Sequence, residues 1–349
     1  MNLKKLNEVL EGEPKFRQKQ TRQMIFKNFI SSWQEATNLS LQLREVLDKE
    51  CPLSIEADFF IGEDKKTVRA IITLEDGAKI ESVLLRHKDG RNTVCVSSQA
   101  GCPLGCAFCA TGRLGFKRNL EPMEIVEQIL LFARFVKKSA TLTDNVEKPI
   151  NNVVFMGMGE PFLNYENVLR AIKIINDKEG LNIGARHISV STVGIIDGIK
   201  KIAKEKLQIN LAFSLHAPND ALRSRIIPIN NKYSLSSVLK EIAEYYKKTK
   251  RRVMIEYVML KNFNDSAQQA NELIEVLSVL ERSSFFVNLI LYNQTENFQA
   301  SSAEQTKKFK EILEDGGVSV TLRYRFGEDI AAACGQLTGQ IADKKDGKD

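Results

Sequence analysis

From about residue 93 onward, short apolar runs alternate with stretches of helical period. Strand character falls at 93–98, 152–157, 187–193, 208–214, 253–260, 285–291 and 319–323. An apolar period of three to four residues fills 121–137, 165–177, 196–205, 235–248, 265–281 and 302–315 between them. Parallel strands need long crossovers, usually helices, so this pattern predicts an α/β fold with a parallel sheet and right-handed connections. Runs such as Val153-Val154-Phe155-Met156 are wholly apolar, as expected of strands covered on both faces. The repeats of strand and helix predict a partial (βα)6 barrel of the TIM type, with an open doubly wound sheet as the competing arrangement. In either, functional side chains gather beyond the C-terminal ends of the strands.

The rest of the chain divides by character. Residues 1–52 read as a small helical N-terminal accessory domain, whose basic residues suit a nucleic-acid partner. Residues 53–92 read as a short β extension, with turns at Glu75-Asp76-Gly77 and Lys88-Asp89-Gly90. Residues 93–335 form the barrel, and 336–349 read as a polar tail. No apolar stretch approaches a membrane span, and the opening residues lack the apolar core of a signal peptide, so the expectation is a cytoplasmic protein with no membrane partner. It is expected to act as a monomer. The net charge of +6 is modest but clustered. Lys15, Arg17, Lys19, Arg22 and Lys27 are interleaved with Phe16, Phe26, Phe29 and Trp33. Lys247, Lys248, Lys250, Arg251 and Arg252 form a second patch, and Arg113, Lys117 and Arg118 a third. Such patches suit a nucleic-acid partner, although each is also compatible with a solvated helix face beside core aromatics.

Cys102, Cys106 and Cys109 follow the first barrel strand with the spacing C-x3-C-x2-C. Thiolates suit soft metals and iron–sulfur clusters. Three cysteines on a four-iron cube leave one iron open to a ligand that is not protein. Zinc is the alternative, but it prefers four ligands in paired motifs, and no second pair exists; Cys95 is the nearest candidate for a fourth. Other polar signals fall on the same predicted rim. Gly157-Met158-Gly159-Glu160-Pro161 follows the second strand, Ser189 and Ser191 lie near the end of the third, Ser214-Leu215-His216 ends the fourth, and Tyr292-Asn293 ends the sixth. Taken alone, the glycine turn and His216 are ordinary structural features; their register with one rim makes them site candidates.

These motifs resemble the radical S-adenosylmethionine (radical SAM) superfamily, whose partial β/α barrels carry C-x3-C-x2-C on the first β/α loop. More closely, the chain resembles the RlmN family, bacterial enzymes that methylate C2 of adenine in 23S rRNA and tRNA. The matching runs are Cys95–Cys102, Phe155–Pro161, Phe213–Asp220, Ile255–Leu260 and Ala332–Leu337, and the likeness extends from Phe16 to Leu337. It implies that Cys102, Cys106 and Cys109 hold a [4Fe–4S] cluster. Gly159 and Glu160 would orient the methionine ammonium of S-adenosylmethionine, with Ser191, Ser214, Leu215, His216 and Asn293 as further cofactor contacts.

The resemblance also implies a catalytic set. Cys334 would accept a methyl group from one S-adenosylmethionine, and a second would supply the radical, making two per turnover. The RNA would become covalently attached to Cys334. Glu81 would take the ring proton, and Cys95 would resolve the adduct through a transient disulfide with Cys334. Flavodoxin or ferredoxin would donate the electron. The chain departs from the family's usual pattern at Tyr292-Asn293-Gln294-Thr295 and at Ile330-Ala331, where an acid is lost near the carrier cysteine. Two alternatives are a Cfr-like enzyme methylating C8 of adenosine in rRNA and a zinc-stabilised, non-catalytic RNA-binding protein.

Overall fold

Seven parallel strands form the frame on which the site is built. The computed structural model describes residues 3–139, 148–293, 298–323, 330 and 335–337. The strands are β1 (Glu56–Ile61), β2 (Thr67–Thr73), β3 (Lys79–Arg86), β4 (Asn92–Cys95), β5 (Gln99–Gly101), β6 (Phe116–Asn119), β7 (Asn152–Phe155), β8 (Ile188–Thr192), β9 (Asn210–Ser214), β10 (Val253–Met259), β11 (Phe285–Leu291) and β12 (Val320–Leu322). The helices are α1 (Leu3–Val9), α2 (Lys15–Phe26), α3 (Leu41–Glu50), α4 (Ala110–Arg113), α5 (Pro122–Ser139), α6 (Tyr165–Asn176), α7 (Ile196–Ile202), α8 (Asp220–Ile226), α9 (Leu235–Thr249), α10 (Ala267–Leu277) and α11 (Ala303–Asp315).

One ten-stranded sheet runs β1-β2-β3-β4-β7-β8-β9-β10-β11-β12. From β4 to β12 every pairing is parallel. The strands β1–β3 add antiparallel to β4, with Val83 opposite Cys95. In sheet order β7 and β12 are five places apart, which is about 24 Å in a flat sheet. Yet Arg323, just past β12, brings its Nη1 within 3.5 Å of Met156 Sδ, just past β7. The sheet therefore curls into a partial barrel, and the open-sheet alternative is excluded.

Helices cover the outside through regular apolar stripes, such as Val168, Leu169, Ile172 and Ile175 of α6. Strand β1 lies against α5, where Phe59 stacks on Phe135 at 5.1 Å. The N-terminal helices join the same contiguous core as the barrel. Trp33 is fully buried and its indole Nε1 donates to Cys51 O at 2.7 Å. Phe26 is also core, whereas Phe16 is 58% exposed with the Arg17 guanidinium 5.2 Å from its ring. The first basic patch thus splits into core aromatics and one exposed aromatic–cation pair. The second patch sits before β10, at the strand N-termini and so on the rim opposite the cysteine loop. Arg118 of the third is committed to Asp76 and Glu124, at 2.6 and 2.7 Å. Leu337, which the sequence places in a polar tail, is buried, and Thr111 Oγ1 donates to its carbonyl. No helix among the described residues is long and apolar enough to cross a membrane.

Candidate active site

The cysteine loop leaves the sheet after β4 and is folded back by the small hairpin of β5 and β6. Gly101 has φ +78°, and a Cβ there would fall 1.9 Å from Gly115 O, so only glycine permits this approach. Next to it, Cys102 N donates to Gly115 O at 2.9 Å. Further along, Ala107 N donates to Ile226 O at 3.0 Å, tying the loop to the end of α8. Tyr292 Oη donates to Phe108 O at 3.4 Å, tying it to the end of β11.

The three thiols stand on one wall of a cleft at the C-terminal rim. The cleft has about 820 Å³ of atom-free space, its open mouth included. Burial pushes the Cys102 thiol up to about 12 and Cys106 well above its ordinary value, with Cys109 adding to both and Cys102 adding to Cys106. Thiols so placed become thiolates when a metal core takes up their charge. Among the described residues no three His, Cys, Asp or Glu side chains converge to hold a single metal ion. A cubane binds its cysteines at separate irons, so its ligands need not converge on one point. Three soft donors on one glycine-turned loop therefore fit a [4Fe–4S] cluster better than one zinc ion.

The turn after β7 lines the same cleft. Gly159 has φ +97°, and a Cβ there would meet the Gln99 side chain at 2.5 Å. Gln99 Oε1 accepts from Glu160 N at 2.9 Å, fixing the turn. The Glu160 carboxylate accepts from Phe162 N at 3.0 Å and from Val193 N at 2.9 Å. Burial pushes its carboxyl up to about 7, against the pull of those two N–H groups. Ser191 Oγ and Ser214 Oγ lie 3.2 Å apart on the same wall.

His216 has φ +57°, and its Nδ1 accepts from Val258 N at 3.1 Å. Burial holds its pKa down at about 3, so the ring is neutral with its proton on Nε2. It meets Phe108 edge-on at 4.9 Å and so props the cysteine loop. Leu215 presents only backbone polar groups, since its side chain is fully buried.

Sequence reasoning missed two residues. Glu256 faces the cleft from β10, in register with Ser214 and Asn288. Its Oε2 accepts from Asn288 Nδ2 at 2.9 Å, while its buried Oε1 has no partner among the described residues. Arg223 lies beneath the rim. The signal for it was a helix start at Asn219, whose Oδ1 caps Leu222 N, and a stop at Pro228.

The comparisons with known proteins agree with this geometry. Residues 96–274 match the family model of the radical SAM superfamily. A protein from Dictyoglomus turgidum named "Probable dual-specificity RNA methyltransferase RlmN" is 45% identical over 93% of this chain and 91% of its own length. A Chloroflexus aurantiacus protein of the same name is 42% identical over 97% of this chain and 92% of its own length. The crystal structure of a radical SAM methyltransferase from Sphaerobacter thermophilus superposes with a TM-score of 0.90 at 38% identity, covering 97% of this chain and 98% of that one. The chain belongs to the RlmN family of the radical SAM superfamily.

Membership makes the chain an enzyme and implies a [4Fe–4S] cluster and S-adenosylmethionine; the zinc-stabilised, non-catalytic alternative falls, and the Cfr-like alternative is not favoured. In this RlmN-family chain the remaining candidates are placed unequally. Cys334 lies outside the described residues, as do Gln294 and Thr295. Its neighbour Gly335 lines the cleft, where its carbonyl accepts from Ala110 N at 2.7 Å, directly after Cys109. The expected transient disulfide between Cys95 and Cys334 is not supported: no disulfide is present among the described residues, and Cys334 lies outside them. Glu81 and Cys95 lie on adjacent strands behind the cleft rather than in its lining. Glu81 N reaches Met158 Sδ at 3.3 Å, and its carboxylate pairs with buried Arg69 at 3.4 Å. Asn293 is buried with no partner for its Oδ1 among the described residues, and it is not part of the cleft lining.

Proposed function

We propose that this protein methylates C2 of an adenosine in 23S rRNA, at the peptidyl transferase centre, and of the adenosine 3′ of the anticodon in tRNA. The observation that carries this reading is the cleft itself. Three thiols share one cleft with the Gly159-Glu160 turn and the Ser191–Ser214 pair, and the residue following Cys334 is bonded at Ala110. The names of the RlmN relatives give the substrate class. C2 of adenine is a CH between two ring nitrogens, neither a nucleophile nor a useful acid, so polar methyl transfer has nothing to attack. When bound, the cluster and S-adenosylmethionine supply one-electron, carbon-radical chemistry, which such a carbon can undergo.

The chain's own residues do the rest. Cys102, Cys106 and Cys109 hold the cluster, and Glu160 orients the cofactor ammonium. Ser191, Ser214, His216 and the Leu215 backbone shape the adenosyl side, and Asn293 adds a contact from the end of β11. Cys334 accepts a methyl group, becoming S-methylcysteine, and then carries the one-carbon unit to the base as a covalent RNA adduct. This uses two molecules of S-adenosylmethionine per turnover, with flavodoxin or ferredoxin as reductant. Glu81 takes the ring proton, and Cys95 assists release of the product. The base must leave its stack to reach the rim. Phe16 and Arg17 on α2 offer an exposed aromatic and a cation to the surrounding RNA.

Mass spectrometry of nucleosides tests this, using rRNA and tRNA from cells whose only such enzyme is this one. The expected product is 2-methyladenosine, absent with Cys334→Ala although that variant keeps its iron and sulfide. Finding 8-methyladenosine, or no modified adenosine, overturns the reading.

A further inference from the structure

Arg223 of α8 is fully buried, yet nothing in the reading above employs it. Its Nε donates to Leu215 O at 3.0 Å and its Nη1 to Asn230 Oδ1 at 2.7 Å. Its Nη2 donates to Val193 O at 2.7 Å and to Ser214 O at 3.0 Å. The guanidinium carbon lies 5.1 Å from the Phe213 ring centre. All four acceptors are neutral. A cation buried among neutral acceptors is costly unless an anion balances it.

One carboxylate, Asp220, and one thiol, Cys106, which turns anionic when a metal core takes up its charge, are in range. Asp220 acts at one remove, because its Oδ1 takes Asn230 Nδ2 at 2.8 Å and Leu235 N at 2.8 Å. Toward the cleft stands Cys106. Burial holds the guanidinium down at about 10, and the charge of Cys106 opposes this more than that of Asp220. The third neighbour, His216, is neutral. Helix and loop are fastened together here. Ala107, next to Cys106, donates to the carbonyl that ends α8, and Leu222 packs on the apolar patch containing Cys106.

We infer that Arg223 is a positioning residue for the iron–sulfur cluster: it fixes the ends of β8 and β9 through their carbonyls and sets a permanent positive charge behind Cys106, raising the potential at which the cluster accepts an electron. This rests on the cluster assignment proposed above. One-electron reduction adds negative charge to the cluster. A fixed cation in a low-dielectric wall stabilises the reduced form more than the oxidised one. Charge and shape separate by substitution. Lysine keeps the charge and loses the planar fork, while glutamine loses the charge.

The test uses the full-length protein purified without oxygen, as wild type, Arg223→Lys and Arg223→Gln. Iron and sulfide are counted, and the midpoint is read by electron paramagnetic resonance during a dithionite titration with mediators. Both variants lose thermal stability through the broken carbonyl contacts. The midpoint of Arg223→Lys stays near wild type. That of Arg223→Gln moves negative by about tenfold in the reduction equilibrium constant, or about 59 mV for one electron. Should only the lysine variant retain its cluster, the requirement for charge is upheld. An unshifted midpoint in Arg223→Gln, equal shifts in both variants, or loss of the cluster from both overturns the inference. A wild-type protein without iron overturns the cluster assignment instead.

Discussion

In the parallel half of the sheet, most polar groups of the cleft stand at or just beyond strand ends, as Glu160, Ser191, Ser214 and His216 do, with Glu256 inside β10 the exception. In the antiparallel half, Glu81 and Arg69 lie within β3 and β2, buried against each other at 3.4 Å. At a strand end the ladder runs out, so backbone N–H groups such as Val193 N are free to orient a carboxylate and a ligand can approach. Neither Glu81 nor Arg69 lines the cleft, and a charge buried away from solvent in this way needs a charged partner. Changes on the rim should therefore alter binding before stability, and changes in the Glu81–Arg69 pair should alter stability first.

The largest effect on folding is expected from Glu81→Ala, which strands Arg69 in the core and should cost about 3–5 kcal/mol. Denaturant unfolding checks this, and a loss no greater than that of a rim variant would break the contrast. Glu160→Gln should weaken S-adenosylmethionine binding by about tenfold in equilibrium dialysis, with a smaller loss of stability. Its carboxyl titrates at about 7, so a cationic ammonium meets a charged partner only as pH rises through that value. Wild-type affinity should accordingly rise from about pH 6 to about pH 8, and the variant's profile should be flat across this range. The same raised pKa means that Glu160 itself costs folding stability as pH rises through the window from its ordinary carboxylate value to about 7, because the folded chain binds the extra proton.

The smallest effect on the folded state is expected from Lys15→Ala, Arg17→Ala and Lys19→Ala combined. Lys15 and Lys19 are solvent-facing, with Lys19 3.9 Å from Glu179, and Arg17 is half-buried with its Nη1 donating to Asn38 O at 2.6 Å. Stability should shift by less than about 1 kcal/mol. RNA affinity in filter binding should fall several-fold with a shallower salt dependence, while iron content stays constant. Equal RNA affinity in wild type and variant would remove α2 from the interface.

The rim residues were legible because strand ends are legible. Glu160, Ser214 and Asn293 each fall where an apolar run gives way to polar residues, and Ser191 lies near the end of the alternating run Ile188–Thr192. The curl of the sheet was not, since the reach of Arg323 to Met156 depends on strand tilt, which a linear pattern does not encode. The Glu81–Arg69 pair depends on the register of β2 against β3, in which Glu81 faces Ile71, two residues from Arg69. That register follows from the tight turn at Asp76-Gly77, whose signal was present but whose consequence for charge pairing was not drawn. Arg223 escaped because Asp220-Ala-Leu-Arg-Ser-Arg-Ile226 looks like a short solvated helix. Only the closing of α8 over the strand ends buries one arginine of the two.

The central claim is that three thiols at 102, 106 and 109 present an iron–sulfur cluster with one open coordination position to S-adenosylmethionine. The most direct measurement is electron paramagnetic resonance of the anaerobically purified, dithionite-reduced protein, recorded before and after adding S-adenosylmethionine. The account predicts a [4Fe–4S]¹⁺ signal whose g-values change on addition, with the signal lost in Cys106→Ser. A protein without iron, or a cluster signal indifferent to S-adenosylmethionine, would contradict it.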